Sequence, residues 1–96
     1  MKIEKTQTGD RMTFMLEGWL DAQAAPELEA ELNSLTADVQ KLLFDCKSLE
    51  YISSSGIRQF VAAHKQMNGN FTLIHVSAEI MDVLNMTGVA KKLNIE

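Results

Sequence analysis

The 96-residue sequence has little cysteine, histidine or proline: one cysteine, two histidines and a single proline, Pro26. One cysteine excludes an internal disulfide bond, and together with two histidines it leaves too few soft ligands for a structural zinc site. No apolar run approaches the roughly 20 residues that a membrane span requires. The first residues, Met1–Glu4, lack the apolar core of a signal peptide. We therefore expect a cytoplasmic protein with no direct membrane insertion.

An excess of basic residues is also absent. Nine lysines and arginines stand against thirteen aspartates and glutamates, which gives a net charge of −4 and offers no basic surface for nucleic acid. Hydrophobic residues make up 46% of the chain and charged residues 23%, which is ordinary for a folded protein and argues against disorder. With no repeat, linker or low-complexity stretch, residues 1–96 are predicted to form one domain.

The hydrophobic pattern first predicts a hairpin and then a helix. Residues 2–8 and 12–16 alternate on either side of the turn Thr8–Arg11, where glycine and aspartate favour a reversal of the chain. Gly18 is expected to end the second strand. Beyond it, apolar residues recur at helical spacing, and Pro26 suits the first turn of a helix.

Strands and helices alternate along the rest of the chain. Leu42–Phe44 is apolar on both alternations, which is typical of a parallel strand buried on two faces. The remaining predicted elements are a helix over 57–67, a strand over 71–76, a helix between Ser77 and Gly88, and a short ambiguous segment at 93–95. This order predicts an α/β fold: a mixed sheet of about four to five strands, mainly parallel with an antiparallel edge hairpin, covered by three or more helices.

Polar residues are concentrated where the predicted parallel strands end, which is where such sheets usually meet ligands and partners. Three segments are expected to be neighbours there: Gly18–Asp21, Asp45–Ser55 and His75–Ser77. Within them, Tyr51–Gly56 runs directly into a helix, whose first turn has unpaired N–H groups and a positive dipole end. A phosphoserine at this point would be stabilised. A serine-rich helix cap with no further function explains the same local pattern.

The other chemically notable residues favour ordinary structural roles. Asp21 and Asp45 could hold a metal or orient a hydroxyl, but acids in such loops are usually solvated, and Cys46 is expected to be a small buried apolar residue. Trp19 either fills the core or is an exposed anchor for a partner. No residue pattern supplies a nucleophile with its base and orienting acid, or a nucleotide-binding loop. We therefore predict a non-enzymatic protein without cofactor or metal.

Three motifs together resemble the STAS domains of the anti-sigma-factor antagonist family. Phe44–Ile57 is similar to the family's strand, loop and Asp-Ser-Ser-Gly or Asp-Ser-Thr-Gly helix start. Gly18–Asp21 followed by Ala25–Leu28 resembles the Gly-x-Leu-Asp and Ala-Pro-x-Leu segment, and Met86–Val89 resembles the Thr-Gly after the third helix. The resemblance covers nearly the whole chain, and it implies the STAS fold.

The resemblance also implies a regulatory function. In the family, an anti-sigma factor that is also a serine kinase phosphorylates the motif serine; the unphosphorylated protein binds that kinase, and a phosphatase resets the switch. The phosphoacceptor corresponds to Ser54, and the loop acid and the strand-end acid correspond to Asp21 and Asp45. The residues expected to contact the partner are Trp19, Asp21, Asp45, Ser53, Ser55 and Gly56.

This sequence departs from the family pattern at three positions. Ser53 replaces the aspartate before the acceptor, Ala24 replaces a threonine that often caps the first helix, and Trp19 stands at a usually polar position. Because some STAS domains lack a working acceptor, a second hypothesis is a scaffold, or a subunit of a transport or signalling complex. A small hydrolase, with Ser54 as nucleophile, is a third.

Overall fold

The computed structural model, which describes residues 1–96, has five β-strands and three α-helices: two strands come first, and helices and strands then alternate. The strands are β1 (Lys2–Thr8), β2 (Arg11–Leu20), β3 (Lys41–Ile52), β4 (Phe71–Ile74) and β5 (Asn94–Ile95). The helices are α1 (Ala25–Asn33), α2 (Ser54–Gln66) and α3 (Ala78–Met86), followed by a 3₁₀ turn at Val89–Lys91. The longest helix has thirteen residues, and none combines the length and apolar character needed to cross a membrane.

The strands lie side by side in the order in which they occur in the chain. β1 and β2 are antiparallel, and β2 to β5 are parallel, so the predicted fold class is confirmed. Because β2 to β5 are added in one direction through right-handed crossovers, all three helices lie on the same face. The core lies between them and the sheet, and Phe44 is at its centre, with ring centroids 4.7 Å from Phe71, 5.4 Å from Phe60 and 5.6 Å from Phe14.

The second face of the sheet is open, and the expectation that β3 is buried on both faces is wrong. Leu42 and Phe44 point into the core and are fully buried, whereas Leu43 between them is only half-buried. The open face carries half-buried side chains from three neighbouring strands: Thr13, Met15, Leu43, Asp45, Thr72 and Ile74. One helical layer therefore covers this sheet, and the residues on the second alternation stay half-buried.

The strands β2 and β3 extend further than the pattern predicts. β2 continues through Gly18, whose φ of +99° is accessible to glycine, and β3 continues through Asp45 to Ile52. Met15 is paired with Asp45 and Leu20 with Ile52, so five steps along β2 span seven along β3. The two additional residues form bulges in β3, which twist the strand at the end where α2 begins.

The helix ends follow local capping rules. Ser77 accepts a hydrogen bond from the Ile80 N–H at 3.2 Å, and Gly88 has the left-handed φ of +76° expected after a helix. Pro26 lies in the first turn of α1. β4 ends at Ile74 rather than at residue 76, because His75 adopts a left-handed φ of +57°.

Candidate functional site

The start of α2 is held against the end of β2 by Ser53. The Ser53 N–H donates to the Leu20 carbonyl at 2.9 Å, and the Ser53 hydroxyl accepts from the Gly56 N–H at 3.3 Å. Ser53 has an extended backbone and is the N-cap, so the first helical residue is Ser54. The prediction of a serine cap is confirmed, and Ser53 is the serine that provides it.

The Ser54 side chain makes no contact that stabilises the fold. Its side chain is exposed, and its hydroxyl makes no hydrogen bond within the chain. The N–H groups of Ser54 and Ser55 also donate to no group of the chain. An accessible hydroxyl therefore lies beside two free N–H donors at the positive end of the helix dipole, where added negative charge is stabilised.

Gly56 allows α2 to approach the sheet closely. A β-carbon at this position would lie 2.6 Å from Leu20 Cγ, 2.8 Å from the Leu20 carbonyl oxygen and 2.9 Å from Ile52 Cγ1, all well inside van der Waals contact. Glycine is therefore required by space rather than by a left-handed backbone. Because Gly56 is buried, it supports the site from below, and the partner contact predicted for it is replaced by this packing role.

Asp21 adjoins the start of α2 but uses its carboxylate to begin α1. It accepts hydrogen bonds from the Gln23 N–H at 3.1 Å and the Ala24 N–H at 2.9 Å. Its backbone carbonyl also accepts from the Ala24 and Ala25 N–H groups. Asp21 thus supplies the capping that Ala24 lacks, and it is half-buried next to Leu20, the residue bonded to Ser53.

Two aromatic side chains form an exposed pair near the ends of β2 and β3. Trp19 and Tyr51 are paired across β2 and β3, their ring centroids lie 5.3 Å apart, and they are 60% and 45% exposed. Trp19 is therefore exposed and does not fill the core, and its role as an anchor for a partner stays a prediction. Tyr51 precedes Ser54 by three residues, so the two Cα atoms lie within about 11 Å. The sequence does not predict Tyr51 as a partner contact, because only the register of the sheet brings it to Trp19.

Asp45 and His75 form a separate polar contact on the open face of the sheet. Asp45 Oδ1 lies 2.9 Å from His75 Nδ1 and accepts the Lys47 N–H at 3.0 Å. Partial burial tends to raise the pKa of the Asp45 carboxyl, but these hydrogen bonds and the positive charges of His75 and Lys47 outweigh it and hold the pKa below its ordinary value. The carboxylate is therefore stabilised in its charged form.

Asp45 does not lie at the end of β3, so its prediction as a strand-end acid is wrong. It pairs with Met15, five residues before Leu20 along β2, which corresponds to about 16 Å of extended strand. The three segments predicted to be neighbours thus form two groups. Gly18–Asp21 adjoins the start of α2, whereas Asp45 adjoins His75.

The remaining reactive groups include one buried thiol and no cluster of metal-ligating side chains. Cys46 is buried, and its burial, with a smaller contribution from the Asp45 charge, raises the pKa of the thiol to about 12. The thiol is therefore protonated and unreactive near neutral pH. No three His, Cys, Asp or Glu side chains are gathered where they could hold a metal ion.

Comparisons with known proteins agree with this architecture. The sequence pattern of the STAS domain matches residues 2–96. BtrV of Bordetella bronchiseptica, whose assignment as an anti-sigma factor antagonist is provisional, is 26% identical over 92 residues, which cover 92% of this chain and 79% of BtrV.

Solved structures with the same fold include an anti-sigma factor antagonist from Mycobacterium paratuberculosis, with a TM-score of 0.86 at 18% identity over 98% of this chain and 83% of that one. SpoIIAA in its unphosphorylated form gives a TM-score of 0.77 at 16% identity, over 99% and 87%. The Bacillus SpoIIAA in its phosphorylated form gives 0.76 at 17%, over 99% and 91%. With its sheet order, its serine-bearing helix start and the family pattern matched over residues 2–96, this chain belongs to the STAS domain family.

Proposed function

We propose that this chain is an anti-sigma-factor antagonist, a protein-binding module switched by phosphorylation of Ser54. The unphosphorylated form binds an anti-sigma factor that is also a serine kinase. That kinase transfers the γ-phosphoryl group of ATP to Ser54 Oγ, with release of ADP and the hydroxyl proton, and a phosphatase restores the hydroxyl. The proposal rests on one observation: the Ser54 hydroxyl is exposed and unbonded at the first residue of α2.

The helix start supports this switch because it can accept a phosphate without rebuilding its backbone. Ser53 and Gly56 already fix the first turn of α2, and the N–H groups of Ser54 and Ser55 are free. The substitution of serine for the family aspartate at position 53 preserves the cap, since a hydroxyl accepts the Gly56 N–H. The BtrV likeness and the phosphorylated and unphosphorylated structures of SpoIIAA support the same assignment.

The surface around Ser54 supplies the partner contact. Trp19 and Tyr51 form an exposed aromatic pair, and such side chains dominate the binding energy of many protein interfaces. Ser53 and Ser55 flank the acceptor, and Asp21 fixes the loop beside it. A phosphate on Ser54 would introduce about −1.5 to −2 charges at the edge of this surface, so the partner would meet an anion in place of a neutral hydroxyl.

The direct test is to incubate the protein with its cognate anti-sigma kinase and ATP and to locate the phosphate by mass spectrometry. We expect modification of Ser54 in the wild type, none in Ser54→Ala, and unchanged modification of Ser54 in Ser55→Ala. A phosphate found only elsewhere, or none at all, would refute the switch.

Binding variants test the same proposal without the phosphoryl transfer. Ser54→Ala keeps a small neutral side chain and should retain its affinity for the unmodified kinase, whereas Ser54→Asp places a charge in the contact and should weaken it at least tenfold, a loss of about 1.4 kcal/mol. Equal affinities of the two variants, measured by calorimetry, would contradict the mechanism.

A non-switching scaffold or transport subunit is the alternative that Ser53 favours. The carboxylate that precedes the acceptor in the family is missing here, and nothing replaces its charge. This alternative predicts that the protein co-purifies with a membrane ATPase or a sensor, and that Ser54→Ala and Ser54→Asp leave the complex intact.

A further inference from the structure

The exposed face of α2 carries a basic side chain one turn after Ser54. Ser54, Arg58, Ala62 and Lys65 are all exposed and follow one another at helical spacing along this face. Residues four apart on a helix have Cβ atoms about 5–6 Å apart. Because helical side chains lean toward the N-terminus, a long side chain at position 58 can reach the turn that carries Ser54.

Arg58 has no partner in the unphosphorylated chain. Its guanidinium makes no hydrogen bond and no ion pair, although carboxylates elsewhere pair with Lys2, Lys5 and His75. It borders a shallow apolar groove lined by Ile57, Val61, Ala62 and Val89, with Lys65 as the other charged group. No carboxylate lines this groove or pairs with the guanidinium, which is therefore free to bind an anion.

We propose that, within the same chain, Arg58 binds the phosphate on Ser54. The inference rests on the proposed function, because it concerns the phosphorylated state of the same serine. The planar guanidinium donates two parallel N–H groups to two phosphate oxygens, a geometry that a carboxylate or phosphate matches well. Phosphorylation then changes two groups at once: it adds charge at Ser54 and occupies the guanidinium one turn away.

This pairing gives Arg58 a second role in partner selection. In the unphosphorylated form its guanidinium is free on the face of α2 that continues from the acceptor serine, where it can meet a carboxylate of the partner. In the phosphorylated form the same guanidinium is engaged within the chain. A partner that binds Arg58 in the unphosphorylated form thus loses its contact with the guanidinium, and it also meets the negative phosphate on Ser54.

The test uses full-length protein with phosphoserine installed at position 54 through the genetic code, so that no kinase is needed. The second pKa of the phosphate is measured by ³¹P NMR titration, because a bound guanidinium favours the dianion and lowers this value. We expect the phosphate in the wild type to titrate about 0.5 pH unit below that in Arg58→Gln, with Arg58→Lys in between.

Lys65→Gln is the matched control. It removes the same charge from the same face of α2, but it lies eleven residues from Ser54, about 16 Å along the helix axis and beyond the Debye length of about 8 Å at physiological ionic strength. Its phosphate should titrate as in the wild type. Equal values for wild type and Arg58→Gln, or an equal shift in Lys65→Gln, would overturn the proposal.

The two proposals fail separately. Because the phosphoserine is encoded, an absent shift refutes the role of Arg58 and leaves kinase action at Ser54 unaffected. A kinase that ignores Ser54 refutes the switch, whereas the titration of the encoded phosphoserine still reports whether Arg58 pairs with the phosphate.

Discussion

The start of α2 and the Asp45–His75 contact are two polar sites that differ in whether their polar groups have hydrogen-bond partners. At the Asp45–His75 contact, the carboxylate has an imidazole and an N–H group as partners, and it is held in its charged form. At the start of α2, the hydroxyl of Ser54 and the N–H groups beside it have no partner. The difference shows that a polar residue is a candidate for regulation where the fold leaves it free, and a structural residue where the fold uses it.

The start of α2 itself also contains both residues that the fold uses and a residue that it leaves free. Ser53 caps the helix, Gly56 allows it to approach Leu20, and Asp21 begins the preceding helix. These three residues build the surface, and Ser54 is the residue they present. Substitutions of Ser53, Gly56 and Asp21 should therefore lower the free energy of unfolding, whereas substitutions of Ser54 should not.

The largest expected effect is that of Gly56→Ala. The added methyl group would overlap Leu20 and Ile52, and overpacking of this kind costs about 2–3 kcal/mol of the free energy of unfolding. Urea unfolding followed by circular dichroism measures the loss. The neighbouring change Ser55→Ala, which removes no hydrogen bond made by the side chain, should stay within about 0.5 kcal/mol of the wild type. A Gly56→Ala protein as stable as Ser55→Ala would show that the glycine is not needed for close packing.

An intermediate effect should distinguish the two adjacent serines. Ser53→Ala removes the acceptor of the Gly56 N–H and should cost about 1 kcal/mol, the usual loss for a helix cap. Ser54→Ala removes an exposed, unbonded hydroxyl and should leave stability nearly unchanged. Thermal or urea unfolding of the two variants gives the comparison directly, and equal losses would mean that Ser54 also has a structural task.

The smallest effect concerns Asp45 and depends on pH. Since the pKa of Asp45 is lowered in the folded state, its ionised form contributes stability above the unfolded pKa of about 3.9, and this contribution is lost as the pH falls through the folded value. We expect Asp45→Asn to cost about 0.5 kcal/mol near pH 7, and this cost to disappear as the pH falls through the lowered pKa of the folded state. Asp82, an exposed acid without a hydrogen bond or ion pair, provides the control Asp82→Asn. A loss independent of pH would assign the Asp45 effect to packing.

The fold was predictable to the level of element order and sheet direction because hydrophobic periods change cleanly along the chain. The ends of β2 and β3 were not, since Gly18 and Asp45 look like terminators in a linear pattern. In the sheet, β2 and β3 are interior strands: their bulged stretch accommodates the left-handed Gly18, and the open face accommodates Asp45. Pairing between residues thirty or more positions apart overrides the local propensity at both positions.

The candidate site was predictable where it depends on consecutive residues. The serine cap and the exposed hydroxyl follow from the local motif at residues 53–56. The need for glycine at position 56 does not, because Leu20 approaches it from another strand. Likewise, the aromatic neighbour of Trp19 depends on the register between β2 and β3, which no local pattern encodes.

The identity between strand order and chain order has a consequence for biogenesis. Each strand pairs with the one translated before it, so a nascent chain can extend its sheet at the newest edge without waiting for a distant segment. The helix start that carries Ser54 packs against Leu20 and Ile52, so its close contacts involve only strands that precede it in the chain, and it can form before β4 and β5 are added.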